Sequence, residues 1–203
     1  FKQIHPIIRT ACQEKIERDR RRGILNRPIR AMVVGIPNVG KSTFINSLAG
    51  KAAAKTGNKP GVTKGNQWIR LNKQVELLDT PGILWPKFED QSVGLKLAFL
   101  GSIHDEILNK DEIAAGLCAH LTKFYPGLLA ERYGCEEDAG VLKLLEQIAV
   151  RRSCLRKGGG YDTSRAAGFL LDDFRGGKLG RITLEFPPVT TPEGETNGCD
   201  QDA

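Results

Sequence analysis

Apolar and polar positions follow two different patterns along the chain, and the change comes shortly after Gly82. Before it, short apolar runs are separated by polar and glycine-rich segments, as in a sheet whose strands alternate with loops and helices. From about residue 92 to residue 174, apolar residues instead recur at helical spacing. These patterns predict an α/β domain followed by a small, mostly helical C-terminal domain.

Three strands and one helix are predicted in the first part. Residues 29–34 form a short, mostly apolar run bounded by Pro28 and Gly35, which indicates a buried strand. A helix is expected over residues 41–49, because a glycine follows its last apolar position. Residues 67–71 and 74–78 are two short β-like runs separated by a tight turn, so they predict a hairpin.

The predicted domain boundaries divide the chain into residues 1–95, residues 96–186 and residues 187–203. The last of these segments is polar and rich in proline, so we expect a disordered tail. A short strand is predicted just before it, at residues 181–186. An amphipathic helical pattern opens the chain and is expected to end at Gly23.

The charge of the chain favours a polyanionic partner. The formal net charge is +6 and the sequence pI is near 9.1, which is compatible with RNA, DNA or nucleotide. No stretch of about 18 apolar residues and no signal-like segment is present, so we expect a cytoplasmic protein without a membrane partner. The five cysteines are scattered, without a C-x-x-C pair, which predicts reduced thiols rather than disulfides or a zinc site.

A phosphate-binding loop is predicted at residues 35–42, which read GIPNVGKS and match G-x-x-x-x-G-K-[ST] at each fixed position. The motif lies between a predicted strand and a predicted helix, which is the context it requires. Its glycines let backbone N–H groups turn toward phosphate oxygens, and the helix N-terminus adds partial positive charge. We therefore expect Lys41 to neutralise the β- and γ-phosphates and Ser42 to hold Mg²⁺. A glycine turn without chemical role is the alternative.

A second motif, DTPG at residues 79–82, follows the next apolar strand. That strand would deliver Asp79 to the carboxyl edge of the sheet, where a Walker-B aspartate reaches Mg²⁺ through water. The N–H of Gly82 would bond the γ-phosphate and lose that bond on hydrolysis. The tetrapeptide is common in turns, so its position after the strand carries the prediction.

The segment between these motifs, residues 51–65, is rich in glycine and lysine. Thr63 is its well-placed hydroxyl for a second magnesium contact, in a loop that orders around the γ-phosphate. A plain surface turn is the alternative. Two alternatives stay open for its lysines, contact with nucleotide or RNA and exposure to solvent: Lys51, Lys55, Lys59 and Lys64.

The base-selecting motif is missing from the expected place. Guanine is commonly chosen by an N-K-x-D loop, and the nearest approach is NKDE at residues 109–112. This tetrapeptide fails at its last position and lies in a helical stretch rather than after a strand, so we reject it. Either the guanine-binding loop lies upstream of residue 1, or the protein does not bind guanine.

Several segments together resemble the bacterial ribosome biogenesis GTPase A family. They are residues 35–43, the PGVT loop at 60–63, Gln67-Trp68 and the run LLDTPGILWPKFED at 77–90. The run GKLGRITLE at 177–185 is similar to the C-terminal end of the same family. The resemblance therefore covers almost the whole chain except its tail.

The resemblance implies a fold, an activity and a site. The fold would be a circularly permuted Ras-like G domain of the P-loop NTPase class, partial here because its guanine-specifying motifs are expected upstream. The activity would be slow GTP hydrolysis, stimulated by the large (50S) ribosomal subunit precursor, whose rRNA the protein would bind. GTP or GDP would bind with Mg²⁺ through these residues: Gly35, Pro37, Asn38, Val39, Gly40, Lys41, Ser42, Thr43 and Gly82. The metal would be held by Ser42, Thr63 and Asp79, and catalysis would involve Lys41, Asn38 and Thr63.

The residue after Gly82 raises a question about catalysis. Ras-like enzymes place a glutamine near this position to orient the attacking water, and the apolar Ile83 cannot do so. The resemblance implies two substitutes, a K⁺ ion held partly by Asn38 and a contact supplied by the ribosomal subunit. The three histidines lack an acidic partner at useful spacing and are interpreted as ordinary helix residues: His5, His104 and His120.

A basic stretch in the helical part is the predicted rRNA surface. Its cations would contact phosphates and make binding dependent on salt: Arg151, Arg152, Arg156 and Lys157. DNA is not an expected partner. Two other functions stay open, a non-enzymatic RNA-binding assembly factor with nucleotide as a structural ligand, and a P-loop ATPase of another class.

Overall fold

The computed structural model describes residues 3–57, 60–85, 87–103 and 109–187. The chain divides into two compact units, one that ends at Asn109 and one that begins at Lys110. Several features singled out in the sequence lie outside the described residues: Lys59, His104, Cys199 and all but the first residue of the predicted tail.

The first unit contains three strands and four helices among its described residues. The strands are β1 (Ile29–Val33), β2 (Gln67–Arg70) and β3 (Val75–Asp79). The helices are α1 (Ile4–Ala11), α2 (Gln13–Arg21), α3 (Lys41–Ala49) and α4 (Gln91–Phe99). The helix predicted over 41–49 is therefore confirmed, and the N-terminal pattern is resolved into two short helices that meet at Cys12.

The three strands form one sheet in the order β1-β3-β2. β1 and β3 are parallel, with Val33 opposite Asp79, whereas β2 and β3 are antiparallel, with Gln67 opposite Asp79. The predicted hairpin is thus confirmed. Its turn is closed by Asn72, whose Oδ1 accepts hydrogen bonds from the backbone N–H groups of Gln74 and Val75 at 2.7 and 2.9 Å.

One face of this sheet forms the core of the first unit. Ile45 of α3 is fully buried against Ile69 and Leu77 of the sheet, where it removes apolar surface from water. The prediction of a buried strand at 29–34 is wrong in part, because Met32 is 59% exposed and Val34 is 67% exposed. Successive side chains of a strand point to opposite faces, and among the described residues α3 covers only one of them.

The first unit extends beyond residue 95, where the sequence placed the domain boundary. After α4 the chain turns at Gly101, whose φ of 69° lies in the left-handed region. The next residue, Ser102, is 1% exposed and donates a hydrogen bond through Oγ to the Pro37 carbonyl at 2.8 Å. This buried bond keeps the end of α4 within the first unit.

The second unit is helical. Its helices are α5 (Lys110–Phe124), α6 (Leu128–Tyr133), α7 (Val141–Arg151) and α8 (Thr163–Arg175), with a 3-10 turn at Glu137–Ala139. Leu117 of α5, Ile148 of α7 and Leu170 of α8 are fully buried in its core. The apolar stripe of α7 therefore faces the core, as its helical spacing indicates.

The prediction of a strand at residues 181–186 is wrong. This segment has no strand pairing among the described residues and is held instead by side chains of α5 and the residue that follows it. The Thr183 N–H donates to the Tyr125 hydroxyl at 2.6 Å, and the Thr183 carbonyl lies 3.3 Å from His120 Nε2. His120 therefore contacts the C-terminal segment.

Two further features bear on sequence expectations. None of the helices in the described ranges is long and apolar enough to cross a bilayer. The four described cysteines are free thiols, and Cys118, Cys135 and Cys154 are buried. Burial raises the pKa of the Cys118 thiol to about 12, so it stays protonated at neutral pH.

A single carboxylate connects α6, α7 and α8 of the second unit. Asp173 of α8 is 2% exposed and bonds to Arg132 and Tyr133 at the end of α6 and to Lys178 beyond α8, each at 3.0 Å. Arg152, next to the end of α7, also bonds to it. Burial by itself raises the pKa of this carboxyl, but the hydrogen bonds from Lys178, Arg132 and Tyr133 outweigh burial and lower the pKa to about 2.

We expect Asp173→Asn to reduce the free energy of unfolding by about 3 kcal/mol at neutral pH, because it breaks a buried ion pair. A carboxyl with a lowered folded pKa stabilises the fold above its unfolded pKa, about 3.9, and loses that effect as pH falls toward about 2. Urea unfolding followed by circular dichroism measures both quantities.

The exposed neighbour provides the control, since Asp172→Asn should leave the free energy of unfolding nearly unchanged. The difference in free energy of unfolding between Asp173→Asn and the parent chain should shrink as pH falls. A difference that stayed constant from neutral pH down to about pH 2 would contradict the lowered pKa of Asp173.

Candidate functional site

The loop at residues 35–42 lies between β1 and α3, as its motif predicts. Asn38 and Gly40 have φ values of 58° and 86°, so the backbone curls through the left-handed region before α3 begins at Lys41. Glycine adopts this conformation without steric cost, and asparagine tolerates it better than most residues. A curl of this kind lets successive backbone N–H groups bind one anion at the N-terminus of the helix that follows.

Lys41 lies folded over the loop. Its Nζ donates a hydrogen bond to the carbonyl of Ile36 at 2.7 Å. Partial burial lowers the pKa of this amine, and the nearby Asp79 carboxylate opposes that effect. The amine of Lys41 is thus held at the loop by its hydrogen bond to Ile36.

Three oxygen-bearing side chains from different segments meet beside this lysine. Ser42 Oγ donates to Asp79 Oδ2 at 2.9 Å and lies 3.2 Å from Thr63 Oγ1. Asp79 is 1% exposed, and among the described residues its second oxygen, Oδ1, is buried without a hydrogen-bond partner. The structure thus brings together all three residues that the sequence predicted for the metal.

The arrangement of these oxygens fits a hard divalent cation. A buried carboxylate oxygen without a donor costs free energy of about 1–3 kcal/mol, which a cation or its bound water offsets. Hydroxyl and carboxylate oxygens are the ligands that Mg²⁺ prefers. Ser42, Thr63 and Asp79 are therefore the residues that would hold the ion.

Gly82 lies against the phosphate-binding loop. A Cβ placed on it would come within 2.4 Å of both Cα and N of Pro37, closer than any side chain tolerates. Only glycine allows the two backbone segments to approach this closely. The DTPG segment and the loop at 35–42 are therefore in direct backbone contact, so a shift of one requires a shift of the other.

A cleft of about 160 Å³ opens over the loop. Seven of the nine residues predicted to bind nucleotide line it: Pro37, Asn38, Gly40, Lys41, Ser42, Thr43 and Gly82. Gly35 and Val39 do not, and Val39 is 47% exposed to solvent. Thr63 lines the same cleft, which is polar and small enough for a phosphate group and its metal.

The structure adds residues to the cleft wall that the motifs did not identify. Lys55, Thr56 and Gly57 line it from the segment between α3 and β2. Lys55 belongs to the lysine set whose role stayed open, and the composition of this segment was the available signal. Neither Lys51 nor Lys64 is part of the wall.

Asn46 explains why this segment reaches the cleft. Its Oδ1 accepts hydrogen bonds from the backbone N–H groups of Ala53 and Ala54 at 2.9 and 2.7 Å, and its Nδ2 donates to the Ala54 carbonyl at 2.8 Å. One asparagine on α3 thus fixes the residues just before Lys55. An asparagine in a helix gives no such signal in the sequence, because its partners lie in an irregular loop.

The loop at 35–42 is supported from the other side by the end of α4. Ser102 bonds to the Pro37 carbonyl, and Asn38 Nδ2 donates to the Gly101 carbonyl at 3.2 Å. The segment from Gly82 to Ser102 therefore begins and ends on the same loop. This closure is a tertiary feature that the motifs by themselves do not indicate.

The residues predicted to bind RNA lie in the second unit and fall into two groups. Arg151, Arg156 and Lys157 are exposed. Arg152 is instead bonded to the buried Asp173, with its guanidinium 5.6 Å from the Tyr133 ring centre. Its role in the second unit is therefore to hold the helices together, whatever else it contacts.

The chain is similar to several known proteins. The family model described as 50S ribosome-binding GTPase matches residues 30–122. The protein called ribosome biogenesis GTPase A of Bacillus cereus is 49% identical over 188 residues, which is 92% of this chain and 64% of that protein. Its namesake in Priestia megaterium is 48% identical over 189 residues, or 92% of this chain and 66% of that protein.

The chain is also similar to a solved structure. The GDP-bound YlqF of Thermotoga maritima is 31% identical, with a TM-score of 0.55 over 79% of this chain and 61% of that one. The chain spans 64–66% of the length of the two curated relatives. With its phosphate-binding loop, its DTPG segment and these similarities, the chain belongs to the ribosome biogenesis GTPase A family of P-loop proteins, whose sequence order is circularly permuted.

Proposed function

We propose that the chain carries the phosphate-binding and metal-binding part of a cytoplasmic GTPase that assists assembly of the large ribosomal subunit. In this proposal it binds GTP or GDP with Mg²⁺, and contacts rRNA in a way that depends on the nucleotide. The observation that supports it most is the meeting of Ser42, Thr63 and the unsatisfied Asp79 oxygen beside Lys41.

Each residue of the cleft has a role that follows from its chemistry. Lys41 exchanges the Ile36 carbonyl for phosphate oxygens, and its positive charge stabilises the charge that develops in phosphoryl transfer. Ser42 and Thr63 offer hydroxyl oxygens to the metal, and Asp79 offers Oδ1. When bound, Mg²⁺ neutralises phosphate charge and orients the β- and γ-oxygens.

The sensing of the third phosphate depends on Gly82. Its N–H becomes a donor to the γ-phosphate while its backbone stays pressed against Pro37. Loss of that phosphate removes one partner of Gly82, and the chain from Gly82 to Ser102 relaxes because both of its ends rest on the loop. Nucleotide state thereby changes α4 and the surface around it.

Ile83 accounts for slow hydrolysis by the protein alone. Its side chain is apolar and 78% exposed, so it orients no water. A contact from the ribosomal subunit and a K⁺ ion near Asn38 take over that role in this proposal, with Asn38 and Thr63 as the catalytic neighbours of Lys41. Asn38 lines the cleft, which supports its assignment.

Hydrolysis by the complete protein, which includes the guanine-specifying motifs expected upstream, is measured with and without large-subunit precursors to test the proposal. We expect phosphate release from GTP to rise in their presence, with K⁺ in place of Na⁺ increasing it further and with ATP a poor substitute. Equal release with and without subunits would favour the non-enzymatic RNA-binding factor, and equal use of ATP would favour an ATPase.

Lys41→Ala should weaken nucleotide binding by about ten- to a hundredfold, because it removes one charge-assisted hydrogen bond to phosphate. Titration with a fluorescent guanine nucleotide measures this loss. Lys64→Ala is the matched control, since Lys64 is exposed and lies outside the cleft wall. Undiminished binding by Lys41→Ala would refute the site.

Gly82→Ala should lower the rate of GTP hydrolysis by about a hundredfold, because its Cβ pushes the sensor away from the loop by about 1 Å. GDP affinity should change much less, since GDP lacks the phosphate that Gly82 contacts. Gly65→Ala has open space around its Cβ and serves as the control. Equal losses of affinity for GTP and for GDP would show that Gly82 supports the loop without sensing the γ-phosphate.

Replacing Arg151, Arg156 and Lys157 with glutamate should weaken binding to the subunit precursor. It should also reduce the salt dependence of binding by about one unit of slope for each phosphate that the protein no longer touches. Lys143→Glu, an exposed cation on α7, controls for net charge. Subunit binding that responds equally to all four changes would argue against a localised surface.

A further inference from the structure

The connection between α7 and α8 forms a small hairpin over residues 155–161. Leu155 and Tyr161 pair as an antiparallel bridge, and the Arg156 N–H donates to the Gly160 carbonyl at 3.1 Å. Below them the Asp162 N–H donates to the Cys154 carbonyl at 2.8 Å. The connection is therefore an ordered projection rather than an open loop.

The base of this hairpin is fixed in the second unit. Cys154 is fully buried, and its N–H donates to the Ala149 carbonyl of α7 at 2.8 Å. On the other side Asp162 caps α8, because its Oδ1 accepts the Arg165 N–H at 3.0 Å. Arg152, bonded to Asp173, lies three residues before Leu155, the first residue of the hairpin. A rigid base of this kind holds whatever side chains the hairpin presents.

The tip is made of Gly158, Gly159 and Gly160, whose φ values are 101°, 96° and 85°. A Cβ on any of them would meet no atom within 4 Å, so the glycines are needed for backbone conformation rather than for packing. The tip is thin and carries no side chains. It leaves the faces of the flanking residues open.

Those flanking residues are exposed although they are apolar. Leu155 is 63% exposed and Tyr161 is 46% exposed. Residues directly opposite each other in an antiparallel pair project to the same side of the ribbon, so the two form one apolar surface. Such a surface in water has an energetic cost, and a connection between helices does not require it.

The charge around this surface selects the kind of partner. Residues 151–161 include Arg151, Arg152, Arg156 and Lys157 and contain no acidic residue. An exposed aromatic ring among cations matches single-stranded nucleic acid, whose bases stack on aromatic faces while its phosphates contact the cations. In a duplex the base faces are covered by their neighbours, so stacking on Tyr161 requires an unpaired base.

We propose that the 155–161 hairpin is a binding site for unpaired RNA, in which Tyr161 and Leu155 support a base and Arg156 and Lys157 contact the adjoining phosphates. This inference rests on the proposed RNA-binding function and specifies its ligand as a single-stranded or looped segment. An apolar protein surface would use the same two side chains without the cations, so the test separates the two.

The experiment uses the full chain and a fluorescent single-stranded oligouridylate of about ten nucleotides, with a duplex RNA of the same length as competitor. We expect the single strand to bind more tightly than the duplex. Tyr161→Ala should weaken its binding by about tenfold, whereas Tyr161→Phe, which keeps the ring, should bind like the parent chain. Fluorescence anisotropy at two salt concentrations gives both affinity and salt slope.

The two parts of the site should respond differently. Tyr161→Ala should leave the salt slope unchanged, whereas Lys157→Ala should reduce it. Leu142→Ala, which removes another exposed apolar side chain from the second unit, is the control and should have no effect. Thermal unfolding followed by circular dichroism checks that each variant is folded.

Three results would overturn the inference. Tyr161→Ala binding as tightly as the parent chain would exclude stacking, even if the glutamate replacements at Arg151, Arg156 and Lys157 weakened binding and so preserved the proposed function. Equal affinity for duplex and single strand would exclude recognition of unpaired bases. No binding of either RNA would remove the RNA-binding part of the proposed function as well.

Discussion

The cleft of the first unit depends on the carboxylate of Asp79, of which one oxygen accepts a hydrogen bond from Ser42. It lies at the end of the central strand, almost fully buried, where water cannot compensate its charge. Ser42 satisfies one oxygen, and the other has no donor within the part of the chain that the structure describes. The loop, the sheet and the Thr63 segment thus converge on a buried negative charge, and a cation such as the proposed Mg²⁺ would complete its coordination.

The second unit contains the contrasting case. Asp173 is equally buried, but three cations and a tyrosine hydroxyl surround it, so no position is left for a ligand. Its lowered pKa reflects a structural cross-link between helices. The same residue type therefore offers an oxygen to the proposed metal in one unit and is a structural cross-link in the other, and the number of donors facing each carboxylate makes the difference.

Contacts around the cleft would carry the proposed response to nucleotide toward the surface. Gly82 touches Pro37 on one side of the loop, and Ser102 bonds to the carbonyl of the same residue. Asn46 holds the Lys55 segment against the opposite wall. The cleft is thus lined by segments whose contacts are known at these points, and the proposed response to nucleotide would pass through them.

The sequence by itself determined the local secondary-structure elements and indicated the kind of chemistry, which is nucleotide binding. The spacing of GIPNVGKS and DTPG around apolar strands predicted the β1 loop, α3 and the β2-β3 hairpin, because these depend on short-range periodicity and turn chemistry. It could not determine that Met32 is exposed, that Arg152 is bonded to Asp173 or that residues 181–186 lack strand pairing. Each of these depends on which distant segment covers a side chain or pairs with a backbone, and only the tertiary structure decides that.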